Sequence, residues 1–128
     1  MYKNIILTGS ILAALSVILG AFAAHGLSNI LDEKLQKTFE TAVKYQMYHS
    51  IAIIICGILA KQFGIKTYTT AALVFFIGIV LFSGSLYTLV FVNVLTNSTY
   101  NFVGIITPFG GLAFIIGWIL LGIASLKT

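Results

Sequence analysis

Two histidines are the side chains of this 128-residue chain that are best suited to chemistry. An imidazole can bind a metal or a haem iron, and it can exchange a proton near neutral pH. His25 ends the first of four long apolar stretches, and His49 lies near the start of the second. Polar side chains at the matching ends of the other stretches complete one set of predicted site residues: His25, Gln46, His49, Ser83, Tyr87 and Thr107.

A polar side chain that faces lipid is costly, so these six side chains are expected to point inward and meet in one layer near the outer rim of the membrane. Three interpretations of this layer stay open. It can be a hydrogen-bonded network that locks the helices, a pocket for a small molecule or lipid headgroup, or a metal or haem site. The free backbone amides at the start of the fourth stretch would favour an anionic ligand in such a pocket.

A metal at this layer would have too few ligands. Two histidines supply half of the four ligands that a structural zinc site usually has, and no cysteine lies at that depth. The sequence therefore predicts no metal and no cofactor, and it leaves His25 and His49 as the candidate ligands if one is bound. Cys56, in the middle of the second stretch, is interpreted as a small packing residue.

The elements that must position these side chains are four membrane spans. A bilayer core is about 30 Å thick, which about 20 helical residues cross. Only 8% of the residues are charged and 59% are hydrophobic. The first apolar run is too long for a signal peptide, so it is interpreted as a retained span. The sequence predicts an all-α integral membrane four-helix bundle, a single transmembrane domain over residues 1–128, with spans at about residues 5–27, 42–60, 69–94 and 103–126.

The only strongly polar segment lies between the first two spans. Its apolar side chains recur at helical spacing, at Leu31, Leu35, Phe39 and Ala42. This pattern predicts an amphipathic interfacial helix over about residues 30–44 that runs into the second span. The stripe continues to Gln46 and His49, which directs both toward the bundle interior.

Small residues predict the helix faces that pack closely, because close backbone approach drives much of helix association in lipid. The first span has such a face, and the third and fourth spans add further glycines. The predicted packing residues are Gly9, Ala13, Ser16, Gly20, Ala24, Gly84, Gly110, Gly111 and Gly117. A neighbouring helix of the same chain is the ordinary partner for these faces, and a second copy, which would make a homo-oligomer, is the alternative.

The fourth span contains the only proline. Thr107 and Pro108 are typical of a helix N-cap followed by the first helical position. Val103–Ile106 would then be a lead-in, either a separate turn or helix above a kink. Trp118 and Lys127 are candidate interfacial anchors of this span, although Trp118 lies deep for that role.

Charge placement predicts the orientation. The side that holds both termini has Lys3, Lys61, Lys66 and Lys127 without a carboxylate side chain. The other side has three lysines and all three acidic residues. The positive-inside rule therefore places both termini in the cytoplasm. The seven dispersed lysines indicate contact with anionic membrane lipids and not with nucleic acid.

The chain lacks the marks of an enzyme: it has no nucleophile and base at a recognisable spacing, no phosphate loop and no acidic cluster. The leading hypothesis is a non-enzymatic, oligomeric membrane protein that binds lipid or a partner protein. The alternatives are a transporter or channel with its site at His25, Gln46 and His49, and metal or haem binding by the histidines. Proton-coupled transport is disfavoured because no span contains an Asp or Glu.

Motifs in all four spans resemble one family, the bacterial membrane proteins of the domain-of-unknown-function family 423 (DUF423). They are Gly20-Ala21-Phe22-Ala23-Ala24-His25-Gly26-Leu27, Thr41-Ala42-Val43-Lys44-Tyr45-Gln46 with His49, Phe82-Ser83-Gly84-Ser85-Leu86-Tyr87, and Thr107-Pro108-x-Gly110-Gly111 with Gly117-Trp118. Ala23 departs from the glycine that is usual in the family. The resemblance implies a four-helix protein of the bacterial inner membrane, and it implies no activity. Its matching polar residues coincide with the predicted layer.

Overall fold

The computed structural model describes residues 2–97 and 101–128. It contains four helices, which we number α1 (Tyr2–His25), α2 (Glu33–Phe63), α3 (Lys66–Thr96) and α4 (Asn101–Ser125). Within α3, a π-helical turn covers Ile79–Ser83. Each helix is long and apolar enough to cross a membrane. The predicted all-α architecture of four spans is therefore confirmed.

The helices run alternately up and down, which gives the bundle two distinct ends. We call one of them the lysine end. It contains Tyr2, Phe63, Lys66 and Ser125, and one side chain from each helix packs in a shared cluster there: Tyr2, Ala60, Tyr68 and Ala124. Lys127 Nζ donates there to Thr67 Oγ1 at 2.8 Å. The other end, which we call the mixed-charge end, contains His25, Glu33, Thr96 and Asn101. Its three lysines and three acidic residues cancel in charge.

The predicted interfacial helix is the beginning of α2 and not a separate element. Asp32 caps α2, since its Oδ1 accepts a hydrogen bond from the backbone N–H of Leu35 at 2.8 Å. With 31 residues, α2 is about 46 Å long and exceeds the bilayer core by several turns at the mixed-charge end. Phe39, on this extension, is fully buried in a cluster with Leu27 of the connection and Val90 of α3.

Close packing between α1 and α2 follows the predicted small-residue face with one error. A Cβ added to Gly9 would lie 2.9 Å from the carbonyl oxygen of Ser50, so the two backbones touch at this point. Ser16 is also buried, and Gly20 faces Val43. Ala24 is exposed and its neighbour Ala23 is buried, so the prediction for Ala24 is wrong. The face turns by one residue near the helix end because the helical repeat is 3.6 residues, not 4.

Close packing between α3 and α4 depends on other glycines. A Cβ on Gly110 would overlap the backbone nitrogen and Cα of Phe82, and one on Gly117 would lie 2.7 Å from the Phe75 ring. Gly111 has only an ordinary contact, 3.9 Å from Phe82 Cδ2, and Gly84 meets only a carbonyl of its own helix. The packing predictions are therefore wrong for Gly84 and Gly111.

The proline of α4 lies inside the helix, so the predicted N-cap at Thr107 is wrong. The helix begins at Asn101, about two turns before Pro108. Proline has no N–H, so the carbonyl of Gly104 loses its usual helical donor. The π turn of α3 packs against this region through Phe82 and Gly110. The π turn of α3 and the proline-interrupted turn of α4 therefore lie opposite each other in the α3–α4 contact.

A self-paired polar core as the candidate functional site

Gln46 joins three helices through its side-chain amide. Its Nε2 donates to the carbonyl of Leu12 in α1 at 2.9 Å, and its Oε1 accepts from the hydroxyl of Tyr87 in α3 at 2.7 Å. The side chain is buried, with 4% of its surface exposed. Ser50, one turn further along α2, donates back to the carbonyl of Gln46. Leu12 receives a hydrogen bond from Ser16 as well. The predicted pairing of inward polar groups is present at this level.

Ser83 and Ser85 connect α3 to two different helices. Ser83 is fully buried and donates to the carbonyl of Ala42 in α2 at 2.7 Å. Ser85, on the opposite face of α3, shares a hydrogen bond of 2.6 Å with Thr107 of α4. Thr107 is therefore paired beside Pro108, and it does not join Gln46. The Ser85–Thr107 hydrogen bond holds the part of α4 between the mixed-charge end and Pro108 against α3.

His49 lies near the middle of α2 in an aromatic surround. Its Nδ1 is 2.7 Å from the carbonyl of Tyr45, and its Nε2 is 3.1 Å from the indole Nε1 of Trp118. A carbonyl oxygen only accepts and an indole N–H only donates, so both partners fit the neutral imidazole with its proton on Nδ1. The ring stacks on Phe114 with centroids 3.6 Å apart and planes 8° from parallel. Both nitrogens are occupied, which leaves no lone pair for a metal.

His25 does not join this core, so the prediction that both histidines share one layer is wrong. It is exposed at the end of α1. The Gln36 side chain donates to the carbonyl of Ala23, which places His25 beside the first turns of α2. Gln36 and His49 are 13 residues apart, or about 20 Å along the helix. The two imidazoles cannot ligate one ion. No group of three His, Cys, Asp or Glu side chains within residues 2–97 and 101–128 is arranged to hold a metal.

A side groove of about 560 Å³ reaches His49 between α2 and α4. It opens to the lateral surface next to Pro108, where the proline side chain is exposed. The lining is mainly aromatic and aliphatic: Tyr45, His49, Phe82, Pro108, Gly111, Leu112, Phe114 and Ile115. Since both nitrogens of His49 already have partners, the groove presents a mainly apolar wall.

Two members of the core were missed by sequence reasoning. Trp118 was interpreted as an interfacial anchor, and it is the donor to His49. Its depth in the span was the signal that pointed away from an anchor. The carbonyl of Leu12 accepts from Gln46, and nothing in the residue type of Leu12 indicates this. Backbone acceptors inside helix bundles can be found only from the packing.

Comparison with known proteins identifies relatives over the whole chain. A family model described as "Protein of unknown function (DUF423)" matches residues 19–111. The chain is 44% identical to the UPF0382 membrane protein YwdK of Bacillus subtilis, with 98% of each chain covered. It is 42% identical to a UPF0382 membrane protein of Staphylococcus epidermidis over 98% of this chain and 97% of the relative.

A relative from Haemophilus influenzae, also named a UPF0382 membrane protein, is 44% identical over 88% of this chain and 85% of its own length. No solved structure matches the chain. Both the family model and these identities extend through the helices that hold Gln46, His49 and Ser83. The chain belongs to the DUF423 family of membrane proteins.

Proposed function

We propose that this protein is a non-enzymatic, homo-oligomeric membrane protein that acts by binding lipid and partner helices at its lateral surface. The observation that carries the proposal is the internal pairing of Gln46, His49, Ser83 and Tyr87. A site that moves a solute through the bundle needs polar groups free to replace the hydration of that solute. Among the described residues, the one buried side-chain polar atom without a partner is Oε1 of Gln36, outside this core.

The lysine end faces the cytoplasm of a bacterial cell in this proposal. It combines four lysines with no Asp or Glu, whereas the mixed-charge end has a net charge of zero. Lysine-rich segments next to a span are retained on the cytoplasmic side of bacterial inner membranes. Both chain termini would then be cytoplasmic, and the lysines would lie at the level of anionic lipid headgroups.

Helix α1 supplies the surface for a second copy. It packs extensively on α2 alone, and Gly9, Ser16 and Ala23 are its only buried residues within Tyr2–His25. Its outward face carries small exposed residues at spacings of four and seven: Ser10, Ala14 and Ala21. Such a seam allows two helices to approach closely in lipid, where apolar side chains alone give little preference for protein over lipid.

Cysteine cross-linking in the native membrane tests the oligomer. In a Cys56→Ala background, Ala14→Cys is expected to give a cross-linked dimer on mild oxidation, because the two α1 seams would face each other. Ile51→Cys is the matched control, since Ile51 is an exposed aliphatic side chain on α2. Equal cross-linking at the two positions, or none at Ala14→Cys, would contradict the proposed α1 interface.

A second candidate function is binding or transport of a small molecule at His49. The groove beside Pro108 favours it, because His49 is one of the residues that line this opening in the lateral surface. The π turn opposite Pro108 adds support, since π turns are frequent at functional sites. This candidate requires His49 to exchange its internal partners for a ligand or a proton. Metal or haem binding by a histidine pair has no such support.

A further inference from the structure

A second groove, of about 490 Å³, lies between α1, α2 and α3 at the lysine end. The part nearest the lysine end, which we call its mouth, carries polar side chains, among them Asn4 of α1 and Thr69 of α3, with Thr8 one turn further in. The part furthest from the lysine end is apolar and includes Ile53 and Phe76. Within the described residues, neither the Asn4 amide nor the Thr69 hydroxyl has a hydrogen-bond partner, whereas Thr8 donates to the carbonyl of Asn4.

The depth of this groove matches one leaflet of a bilayer. Asn4 is two residues from the lysine end of α1, and Phe76 and Ile53 are each ten residues from the lysine ends of their helices. The groove therefore runs from about 3 Å to about 15 Å below that end. Half of the bilayer core is about 15 Å thick. An acyl chain of one lipid in the lysine-side leaflet has this length and this polarity profile.

The charge at the mouth selects an anionic headgroup. Lys3 precedes Asn4, and Lys66 lies one turn before Thr70, whose hydroxyl donates to the Lys66 carbonyl. One face of α3 carries Lys66, Thr70 and Leu73, at spacings of four and three residues. Thr70 and Leu73 line the groove. No Asp or Glu exists at this end of the bundle to compete for the lysines.

We infer that this groove is a binding site for one anionic phospholipid of the lysine-side leaflet, with its phosphate near Lys66 and Lys3 and an acyl chain along Ile53 and Phe76. The glycerol and ester oxygens would take the free hydrogen-bonding groups of Asn4 and Thr69. This inference rests on the proposed function, because it names the lipid that the lateral surface binds. It locates the headgroup site at the lysine end and not in the outer polar layer, where the sequence suggested one.

Native mass spectrometry tests the site with full-length protein reconstituted in nanodiscs of phosphatidylglycerol and phosphatidylcholine in equal amounts. The wild type is expected to retain phosphatidylglycerol in preference to phosphatidylcholine. Lys66→Gln should lower that preference about fivefold, since a lysine near an anionic lipid surface contributes about 1 kcal/mol. Lys127→Gln is the matched control, because Lys127 lies at the same end, just beyond α4, and bonds to Thr67.

Groove filling gives a second variant pair. Thr8→Trp places an indole in the groove and should reduce lipid retention about tenfold, whereas Thr88→Trp should leave it unchanged. The two threonine hydroxyls are equivalent in their local bonds, each donating at 2.8 Å to the carbonyl four residues earlier, and Thr88 is an exposed residue of α3 that does not line the groove. Lys66→Gln alters an exposed side chain, so its result decides the matter even if Thr8→Trp does not assemble.

Three results would overturn the site. Phosphatidylglycerol retained equally by the wild type, Thr8→Trp and Lys66→Gln would place the lipid elsewhere and leave the proposed lateral binding intact. Cross-linking of Thr69→Cys between copies, together with dissociation of the oligomer by Thr8→Trp, would show that a second copy fills the groove. A wild type that retains no lipid and forms no Ala14→Cys cross-link would remove the site and the proposed function together.

Discussion

Gly110→Ala is expected to lower the free energy of unfolding by about 1–3 kcal/mol, the usual range for overpacking a tight contact. The new methyl group would overlap the backbone nitrogen and Cα of Phe82. Backbone atoms cannot move aside as the end of a flexible side chain can, so α3 and α4 must separate at the π turn. Reversible unfolding in mixed micelles, followed by circular dichroism, measures the change.

Gly111→Ala is the matched control for this contact. It makes the same chemical change one residue further along α4, where the added methyl would have only an ordinary contact with Phe82. Alanine has a better helix propensity than glycine, so Gly111→Ala should be neutral or mildly stabilising. If both variants lose the same amount of stability, the close approach at Gly110 is not what holds α3 to α4.

Gln46→Leu is expected to cost about 1–3 kcal/mol of unfolding free energy, because it leaves the buried Tyr87 hydroxyl without its acceptor and removes the hydrogen bond from α2 to the Leu12 carbonyl. Tyr87→Phe removes the other half of one of these bonds. In the double variant the unpaired hydroxyl is gone, so the combined loss should be smaller than the sum of the two single losses. Hydrogen bonds between membrane helices show a coupling energy of about 0.6 kcal/mol on average and about 1.7 kcal/mol at most, and a value of this size is expected here.

Tyr48→Phe is the control for this cycle. Tyr48 lies on the same helix with 54% of its surface exposed, so loss of its hydroxyl should change the unfolding free energy little. Its combination with Gln46→Leu should be additive, since the two side chains share no hydrogen bond among the described residues. Additivity of Gln46→Leu with Tyr87→Phe would contradict the internal pairing that the structure shows.

Hydropathy and charge were sufficient to predict the spans, because the bilayer thickness fixes how many apolar residues a helix needs. The inward direction of Gln46 and Ser83 followed from the cost of polar groups in lipid. The identity of their partners did not follow. Gln46 bonds to a backbone carbonyl of Leu12, and Ser83 to that of Ala42, and every residue offers a carbonyl. The relative axial position of the packed helices determines which carbonyl lies within reach of each side chain.

The errors have a common physical origin in the ends of the helices. His25 was placed at the level of His49 because the first apolar run ends at His25 and the second begins near His49. The helix α2 starts well before that second run, at Glu33, so His49 lies about 20 Å along α2 from Gln36, which packs beside the end of α1. Pro108 was assigned to a helix start, the position it favours in an isolated helix. In the bundle, α3 packs beside it and the Ser85–Thr107 hydrogen bond holds the preceding turns in place.

The fluorescence of Trp118, the only tryptophan of the chain, tests the closed polar core most directly. Its indole N–H donates to His49 Nε2, which can accept only while the imidazole is neutral. In nanodiscs titrated from about pH 8 to about pH 5, the range in which an accessible histidine gains a proton, constant emission is expected in the wild type and in His25→Gln. A reversible change that persists in His25→Gln and is lost in His49→Gln would show that protons reach His49, and it would contradict a closed polar core in favour of a transport site.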